Sequence, residues 1–158
     1  MTLQFRLANP GDAYALWIWA NDPATRAASG DRPLIPWSTH VRWLRGRLGS
    51  PDALILIAED EHCRPVGTVR FETDDRWLHA RLSYGLAPEA RGFGLGLPLL
   101  AGALGELDRR TVDTAVTALV RPGNPASQRL FEKLRWSAEP AEGGAQAFVR
   151  HPRVSACG

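Results

Sequence analysis

Three glycines stand at every second position in the segment ARGFGLGLPLL, residues 90–100, with Arg91 just ahead of them. An apolar run with helical spacing follows, so Gly92, Gly94 and Gly96 mark the start of a helix. The first amides of a helix have no internal partner and lie at the positive end of its dipole, so they can hold an anion. Glycine lets the backbone approach such an anion without a Cβ in the way. The segment therefore indicates a phosphate-binding site, although a tight turn before a core helix is the simpler explanation of three glycines alone.

Two common nucleotide-binding motifs do not fit this loop. A P-loop requires lysine and then serine or threonine after its last glycine, whereas Leu97 follows Gly96. The dinucleotide motif G-x-G-x-x-G finds Leu97 or Leu99 where its third glycine should stand. Both motifs are therefore excluded.

A second segment, RPGNPASQRLFEKLRW at residues 121–136, begins about thirty residues downstream of Arg91, after a predicted strand. Asn124 before Pro125 is a good helix cap, which explains both residues without any ligand. Taken together, R-x-x-G-x-G and N-x-x-S-x-x-L-[YF] at this spacing resemble the two motifs of the GNAT acetyltransferase superfamily. The resemblance covers nearly the whole chain, and its motif residues are Arg91, Gly94, Gly96, Asn124, Ser127, Leu130 and Phe131.

The resemblance implies acetyl-CoA as cosubstrate. Backbone groups around residues 86–88 would pair with the pantetheine arm, amides of residues 92–96 would bind the pyrophosphate, and Arg91 would add a cation. Pro98 removes an amide just inside the helix, so we expect a looser first turn. The residues assigned to acetyl-CoA are Leu86, Ala87, Pro88, Arg91, Gly92, Phe93, Gly94, Leu95, Gly96, Asn124, Ser127 and Phe131.

The proton carriers of many relatives are absent. Phe131 stands where they have a tyrosine, and Arg81 stands where they have a glutamate. Alternation along the strands places Glu72 and His79 on one polar face. If residues 73–77 form the hairpin turn, Glu72 lies opposite His79, and the pair could act as general base. A surface ion pair, or a register shift of two that pairs Glu72 with Arg81, is the alternative.

The acceptor side resembles a subgroup that acetylates nucleotide-linked amino sugars, as in pseudaminic acid synthesis. Its marks are W-x-N-D-x-x-x-R and H-x-x-W, which here give the acceptor-binding residues Trp19, Asn21, Arg26, His40 and Trp43. Tryptophan stacking and the charge of Arg26 would suit a sugar nucleotide. Tryptophans at helical spacing are also common in cores. A ribosomal-protein or other N-terminal acetyltransferase, a small-amine acetyltransferase and a non-catalytic acyl-CoA-binding module remain alternatives.

The elements that must position these residues follow the order β-α-α-β-β-β-α-β-α-β-β. This order predicts one α/β domain over residues 1–158, with a mixed, mostly antiparallel sheet flanked by about four helices, as in GNAT proteins. We expect a loop over residues 21–36 and a closing hairpin over residues 136–150. The other expected elements are strands at 3–8, 53–58, 66–72, 79–86 and 116–121, and helices at 11–21, 38–48 (capped by Ser38), 92–110 and 124–134.

Composition limits the partners. A net charge of +2, from 19 basic and 17 acidic residues, is too balanced to indicate nucleic acid. No segment approaches the roughly 18 apolar residues of a membrane span, and no apolar signal core opens the chain. Cys63 and Cys157 lack metal-site spacing and are expected to be free thiols in a reducing cytoplasm. The expected partner is a small-molecule amine, with no metal, and a homodimer is left open.

Overall fold

A seven-stranded mixed sheet organises the part of the chain that the computed structural model describes, residues 2–30 and 32–152. The spatial strand order is 1-2-3-4-5-7-6, and strands 4 and 5 form the parallel pair. The strands are β1 (Gln4–Leu7), β2 (Ala53–Glu59), β3 (Pro65–Thr73), β4 (His79–Leu86), β5 (Ala115–Val120), β6 (Ser137–Pro140) and β7 (Gln146–Arg150). The helices are α1 (Ala13–Asn21), α2 (Pro23–Ala28), α3 (Trp37–Leu48), α4 (Gly96–Arg110) and α5 (Pro125–Lys133). The predicted mixed α/β fold is confirmed, with five helices where about four were expected.

Two apolar clusters lie on opposite faces of the sheet. Residues 54, 56 and 58 of β2 point to one face and pack with α4 and α5. Ile55 and Ile57 point to the other face and pack with Leu16 and Trp19 of α1 and Leu44 of α3. Because strand side chains alternate between faces, a buried strand such as β2 needs apolar residues at every position. The sheet is therefore covered by α4 and α5 on one face and, over β2, by α1 and α3 on the other.

Two helix predictions were wrong in detail. The expected loop at residues 21–36 contains α2, which Asp22 caps through a 3.3 Å hydrogen bond from the Thr25 amide, with Pro23 at its first position. Ser38 is not a cap, because α3 already begins at Trp37 after Pro36.

The helix expected from residue 92 begins at Gly96 instead. Residues before it form a turn in which Gly92 and Gly94 have positive φ. One side of α4 is buried. Leu97 is 36% exposed, and the buried side is formed by Leu99, Leu100, Ala103, Leu104 and Leu107.

The predicted pairing of Glu72 with His79 was also wrong. Glu72 of β3 lies opposite Arg81 of β4, which is the alternative register. The connection from β3 to β4 is two residues longer than in the predicted register, and Thr73 and Asp75 hold it: Asp75 Oδ1 accepts from the Thr73 hydroxyl and from the His79 amide, each at 2.9 Å. Trp77 fixes the turn from outside by donating its indole N–H to the Pro51 carbonyl at 3.0 Å.

Cys63 is exposed and free, whereas Cys157 lies outside the described residues. None of the helices in the described ranges is long and apolar enough to cross a membrane.

Close packing of α4 on β1 yields a stability prediction. A Cβ on Gly102 would overlap the Phe5 ring, whereas a Cβ on Gly105 of the same helix meets only Arg109, at 3.8 Å. We expect Gly102→Ala to lower the free energy of unfolding by about 1–3 kcal/mol through overpacking. The matched Gly105→Ala should raise it by up to about 1 kcal/mol through helix propensity. Urea unfolding measures both, and Phe5→Leu should recover part of the Gly102→Ala loss. Equal effects of the two alanines would contradict the packing argument.

Candidate active site

The central feature of the site is a gap between the two parallel strands. β4 and β5 pair only from His79 opposite Ala115 to Leu82 opposite Ala118. Beyond that point β4 stays with β3, and β5 stays with β7 as far as Val120. The strands therefore separate and leave a V-shaped gap that narrows toward Leu82.

Backbone groups of β4 face this gap. The Ala87 amide donates to Val66 of β3 at 2.9 Å, and hydrogen-bonding direction alternates along a strand. Tyr84 and Leu86 therefore direct their N–H and C=O groups away from β3, toward the gap. Such groups need partners when solvent is excluded, and an extended ligand that carries amides can supply them. The geometry fits a pantetheine arm at residues 86–88, and it adds Tyr84, which the sequence analysis did not assign.

The glycine loop lies at the open end of this gap, where Leu86 leads into residues 87–95. Gly92 and Gly94 have φ of +83° and +73°, and a Cβ on either would meet nothing within 4 Å. Within the described chain, the backbone amides of residues 92–97 donate no hydrogen bond. Six neighbouring amides without a partner in the described chain, with open space beside Gly92 and Gly94, match the needs of a pyrophosphate. Pro98 lies just after these amides, so it removes none of them.

Gly96 has a different role from the two glycines before it. A Cβ on Gly96 would lie 2.7 Å from Cδ1 of Leu130 on α5. The third glycine therefore permits the close approach of α4 to α5 and is a packing requirement.

Arg91 is held by α2 in this structure. Its guanidinium donates to Asp22 Oδ2 at 2.7 Å, to Thr25 Oγ1 at 3.0 Å and to the Leu86 carbonyl at 3.3 Å. The hydrogen bond from Arg91 holds the pKa of Asp22 below its usual value. Arg91 thereby ties α2 to the gap and the glycine loop.

The second motif provides a cap, a hydroxyl and a core residue. Asn124 Oδ1 accepts from the Ser127 amide at 3.2 Å, as a helix cap does. The Ser127 hydroxyl lies 2.6 Å from the Tyr84 phenol. Phe131 is 1% exposed and packs against Tyr84 and Phe148.

Three of the five predicted acceptor residues are engaged by the protein itself. Trp19 is buried in the α1–α3 cluster. The Asn21 side chain exchanges hydrogen bonds with the Ile35 backbone at 2.7 and 3.0 Å. His40 Nε2 donates to the Ala13 carbonyl at 2.9 Å, and burial lowers the pKa of this imidazole. These contacts brace α1 against α3 and the segment that precedes it.

The other two predicted acceptor residues are Trp43, which contacts Arg70 of β3, and Arg26 of α2. Trp43 is half-buried and lies under the Arg70 guanidinium, 4.9 Å from the ring centre. Arg26 is half-buried, and its Nε is buried without a hydrogen-bond partner in the described residues.

The polar face of β3 and β4 holds the two predicted catalytic residues apart. Glu72 faces Arg47 of α3 at 3.1 Å and Arg70 at 3.6 Å. The His79 ring instead bonds the Thr117 hydroxyl at 2.7 Å, at the closed end of the β4–β5 pair. Glu72 and His79 are diagonal neighbours, at roughly 7–8 Å, and do not form a unit.

The fold and this site define an acetyl-group transferase. Residues 2–137 match a family model described as an acetyltransferase (GNAT) domain. The chain belongs to this GNAT acetyltransferase family and is an acetyl-CoA-dependent N-acetyltransferase, with acetyl-CoA as its cosubstrate. No curated protein matches the chain in sequence.

Solved structures with this fold act on different molecules. A spermidine N-acetyltransferase from Vibrio cholerae, in complex with CoA and spermine, has a TM-score of 0.84 at 16% identity over 96% of each chain. A phosphinothricin acetyltransferase from Sinorhizobium meliloti, in complex with acetyl-CoA, has a TM-score of 0.77 at 18% identity, covering 96% of this chain and 89% of its own. AAC(6')-Ib with paromomycin and acetyl-CoA gives 0.76 at 19% identity, covering 97% and 94%. At these identities the likeness shows the fold and does not identify an acceptor.

The open space at Gly94 yields a binding prediction. Gly94→Glu should abolish acetyl-CoA binding, because it strains a positive-φ position and sets a carboxylate among amides that would bind a phosphate. The matched Gly94→Ala adds the strain without the charge and should weaken binding less. Calorimetric titration of acetyl-CoA into the three proteins measures this, with thermal midpoints as the folding control. Equal affinity of wild type and Gly94→Glu for acetyl-CoA would exclude a phosphate-binding site at this loop.

Proposed function

We propose that this enzyme acetylates the primary amine of an anionic small molecule, a nucleotide-linked amino sugar being the acceptor that fits best. The observation that carries the proposal is an excess of guanidinium groups around the open end of the gap. A neutral or cationic amine would not need this charge.

The first group of arginines surrounds α2. Arg91 donates to Asp22, the carboxylate that caps this helix, and Arg26 lies in its last turn. Arg121 directly follows β5, and its guanidinium lies 3.3 Å from where a Cβ on Gly30 would stand, so it reaches over the end of α2. Three arginines therefore lie in or against α2 and the segment that follows it, with Asp22 as the carboxylate of this helix, and Arg26 Nε makes no hydrogen bond in the described residues.

The second group lies on the polar face of β3. Arg70 and Arg47 flank Glu72, and Arg70 Nε makes no hydrogen bond in the described residues. Its Nη2 reaches Ser83 of β4 at 3.4 Å, beside the point where β4 leaves β5. Burial lowers the pKa of Arg70, which is the signature of a guanidinium with too few compensating partners. An acceptor anion would provide the missing charge, whereas a polyamine would meet repulsion.

An acceptor panel tests this proposal. We expect a UDP-linked amino sugar to be acetylated with a kcat/KM at least about 10² above that of the same sugar without the nucleotide, since one or two charge-assisted hydrogen bonds are worth about 1.5–3 kcal/mol each. Spermidine and an N-terminal peptide complete the panel, and CoA thiol release is the measurement. Arg26→Gln should raise KM for the nucleotide sugar and leave the free sugar unchanged. A preference for spermidine would assign the enzyme to the polyamine class, and a preference for the peptide to the N-terminal class.

We further propose Glu72 as the proton acceptor for the amine, acting through water, with His79 outside the reaction. Glu72 is two residues along β3 from Arg70, which lies opposite Ser83 next to the gap. His79 lies at the closed end of the β4–β5 pair. This assignment separates two residues that the sequence analysis had joined.

Substitution tests the separation. Glu72→Gln should lower kcat by about 10² to 10⁴, as expected for loss of a general base, while acetyl-CoA affinity stays near wild type. His79→Ala should keep kcat within about threefold, and the double variant should be additive because the residues share no partner. Arg47→Ala is the control, since it breaks the same ion pair but keeps the carboxylate. A loss in Arg47→Ala as large as in Glu72→Gln would show that the ion pair, rather than the base, matters.

A further inference from the structure

Phe131 supplies no hydroxyl, yet a phenol lies against its ring. Tyr84 of β4 packs edge-on against Phe131 at 6.1 Å, and its hydroxyl lies 2.6 Å from the Ser127 hydroxyl of α5. This pair belongs to neither the ion pairs of the polar face nor the glycine loop. The sequence places Tyr84 on the apolar face of its strand and gives no sign of a polar role.

We propose that the Tyr84 hydroxyl, held by Ser127, donates a hydrogen bond to the sulfur that leaves the acetyl group. The proposal rests on the acetyl transfer described above and names a further residue for that reaction. Tyr84 on β4 would thus make the hydrogen bond to sulfur that Phe131 on α5, which has no hydroxyl, is unable to make.

Position supports this role. Tyr84 is two residues beyond Leu82, where β4 and β5 separate, and its backbone faces the gap. The narrow end of the gap is the point at which a chain entering from the glycine loop comes closest to Ser83 and Arg70 on the opposite, polar face. The reacting end of the donor must reach this point, because the amine arrives from that face. The half-buried Tyr84 phenol lies on the α5 side of the same point.

The state of the phenol decides what it can do. Burial raises the pKa of Tyr84 above its ordinary value near 10, and the Ser127 hydrogen bond only partly opposes this. A thiol has an ordinary pKa of about 8.5, so complete proton transfer from the phenol to a thiolate is unfavourable. A phenol that stays protonated is nevertheless a good donor to a developing negative charge.

Acetyl transfer from sulfur to nitrogen conserves bonds, electrons and protons. The amine nitrogen forms a bond to the acetyl carbon and gives its proton to Glu72 through water. The carbon–sulfur bond breaks, and its electron pair goes to the sulfur. Tyr84 keeps its proton and stabilises the thiolate by a hydrogen bond, and the thiolate takes a proton from solvent after release.

Binding measurements test the contact without turnover. CoA and desulfo-CoA, which lacks the sulfur, are titrated into wild type and Tyr84→Phe. We expect Tyr84→Phe to weaken CoA binding about three- to tenfold and to leave desulfo-CoA binding unchanged. The thiol of bound CoA, followed by its thiolate absorbance, should titrate about one pKa unit lower in wild type than in Tyr84→Phe. With acetyl-CoA, kcat should fall about 10- to 10²-fold in the variant.

The alternative outcomes are distinct. Equal weakening of CoA and desulfo-CoA, with the same thiol pKa in both proteins, would show that Tyr84 is only structural and would overturn the proposal. Ser127→Ala keeps the phenol, so it should retain most of the difference in affinity between CoA and desulfo-CoA. Loss of this affinity difference in Tyr84→Phe and not in Ser127→Ala supports the assignment. If wild type acetylates none of the amines, the proposed acceptor class fails, while the CoA and desulfo-CoA comparison still tests Tyr84.

Discussion

The separation of β4 from β5 beyond Leu82 and Ala118 is the constraint on which the rest of the site depends. Each strand keeps one hydrogen-bonded neighbour, β3 or β7, so neither loses its place in the sheet. The hydrogen bonds between β4 and β5 are lost beyond this point, and the backbone groups that would have formed them become available to an extended ligand. The Tyr84–Ser127 hydrogen bond and the Phe131 ring then hold α5 against β4 where β5 has diverged. The gap is thus part of a packed structure, with a core on one side and a polar surface on the other.

The glycine loop shows that one residue type answers two physical demands. Gly92 and Gly94 have backbone conformations that side chains rarely adopt, and open space lies where their Cβ atoms would be. Gly96 has an ordinary helical conformation and is required because Leu130 fills the space beside it. The same short segment therefore exposes amides at its start and joins α4 to α5 at its end. An anion held by these amides would be coupled to helix packing, because a shift of α4 would also move the amides.

Several arginines lie on the side of the gap that we propose for the acceptor. Four arginines lie on segments that border the gap: Arg91 after β4, Arg26 of α2, Arg70 of β3 and Arg121 at the end of β5, and their carboxylate partners are Asp22 for Arg91 and Glu72 for Arg70. One of them, Arg91, also joins α2 to the Leu86 carbonyl, so the acceptor side and the pantetheine side share a residue. Movement of α2 would consequently reach both ligands. Under the proposed function, the negative charge of the acceptor would complete this site.

The sequence alone determined the strands and their faces, four of the five helices and the two motifs, because these depend on local patterns. Glycine spacing, the Asn124 cap and alternation along β4 were all sufficient without a partner strand. Tertiary structure decided the pairing of Glu72 with Arg81. A shift of two residues leaves every side chain on its predicted face, so alternation along the strands does not distinguish the two registers. The turn held by Asp75 and Trp77 selects the observed one. The roles of Asn21, His40 and Tyr84 likewise depend on Ile35, Ala13 and Ser127, each at least 14 residues away in the chain. Residue type and spacing do not show whether a polar side chain faces a ligand or is already bonded within the protein, because its partner comes from a distant segment that only folding brings near.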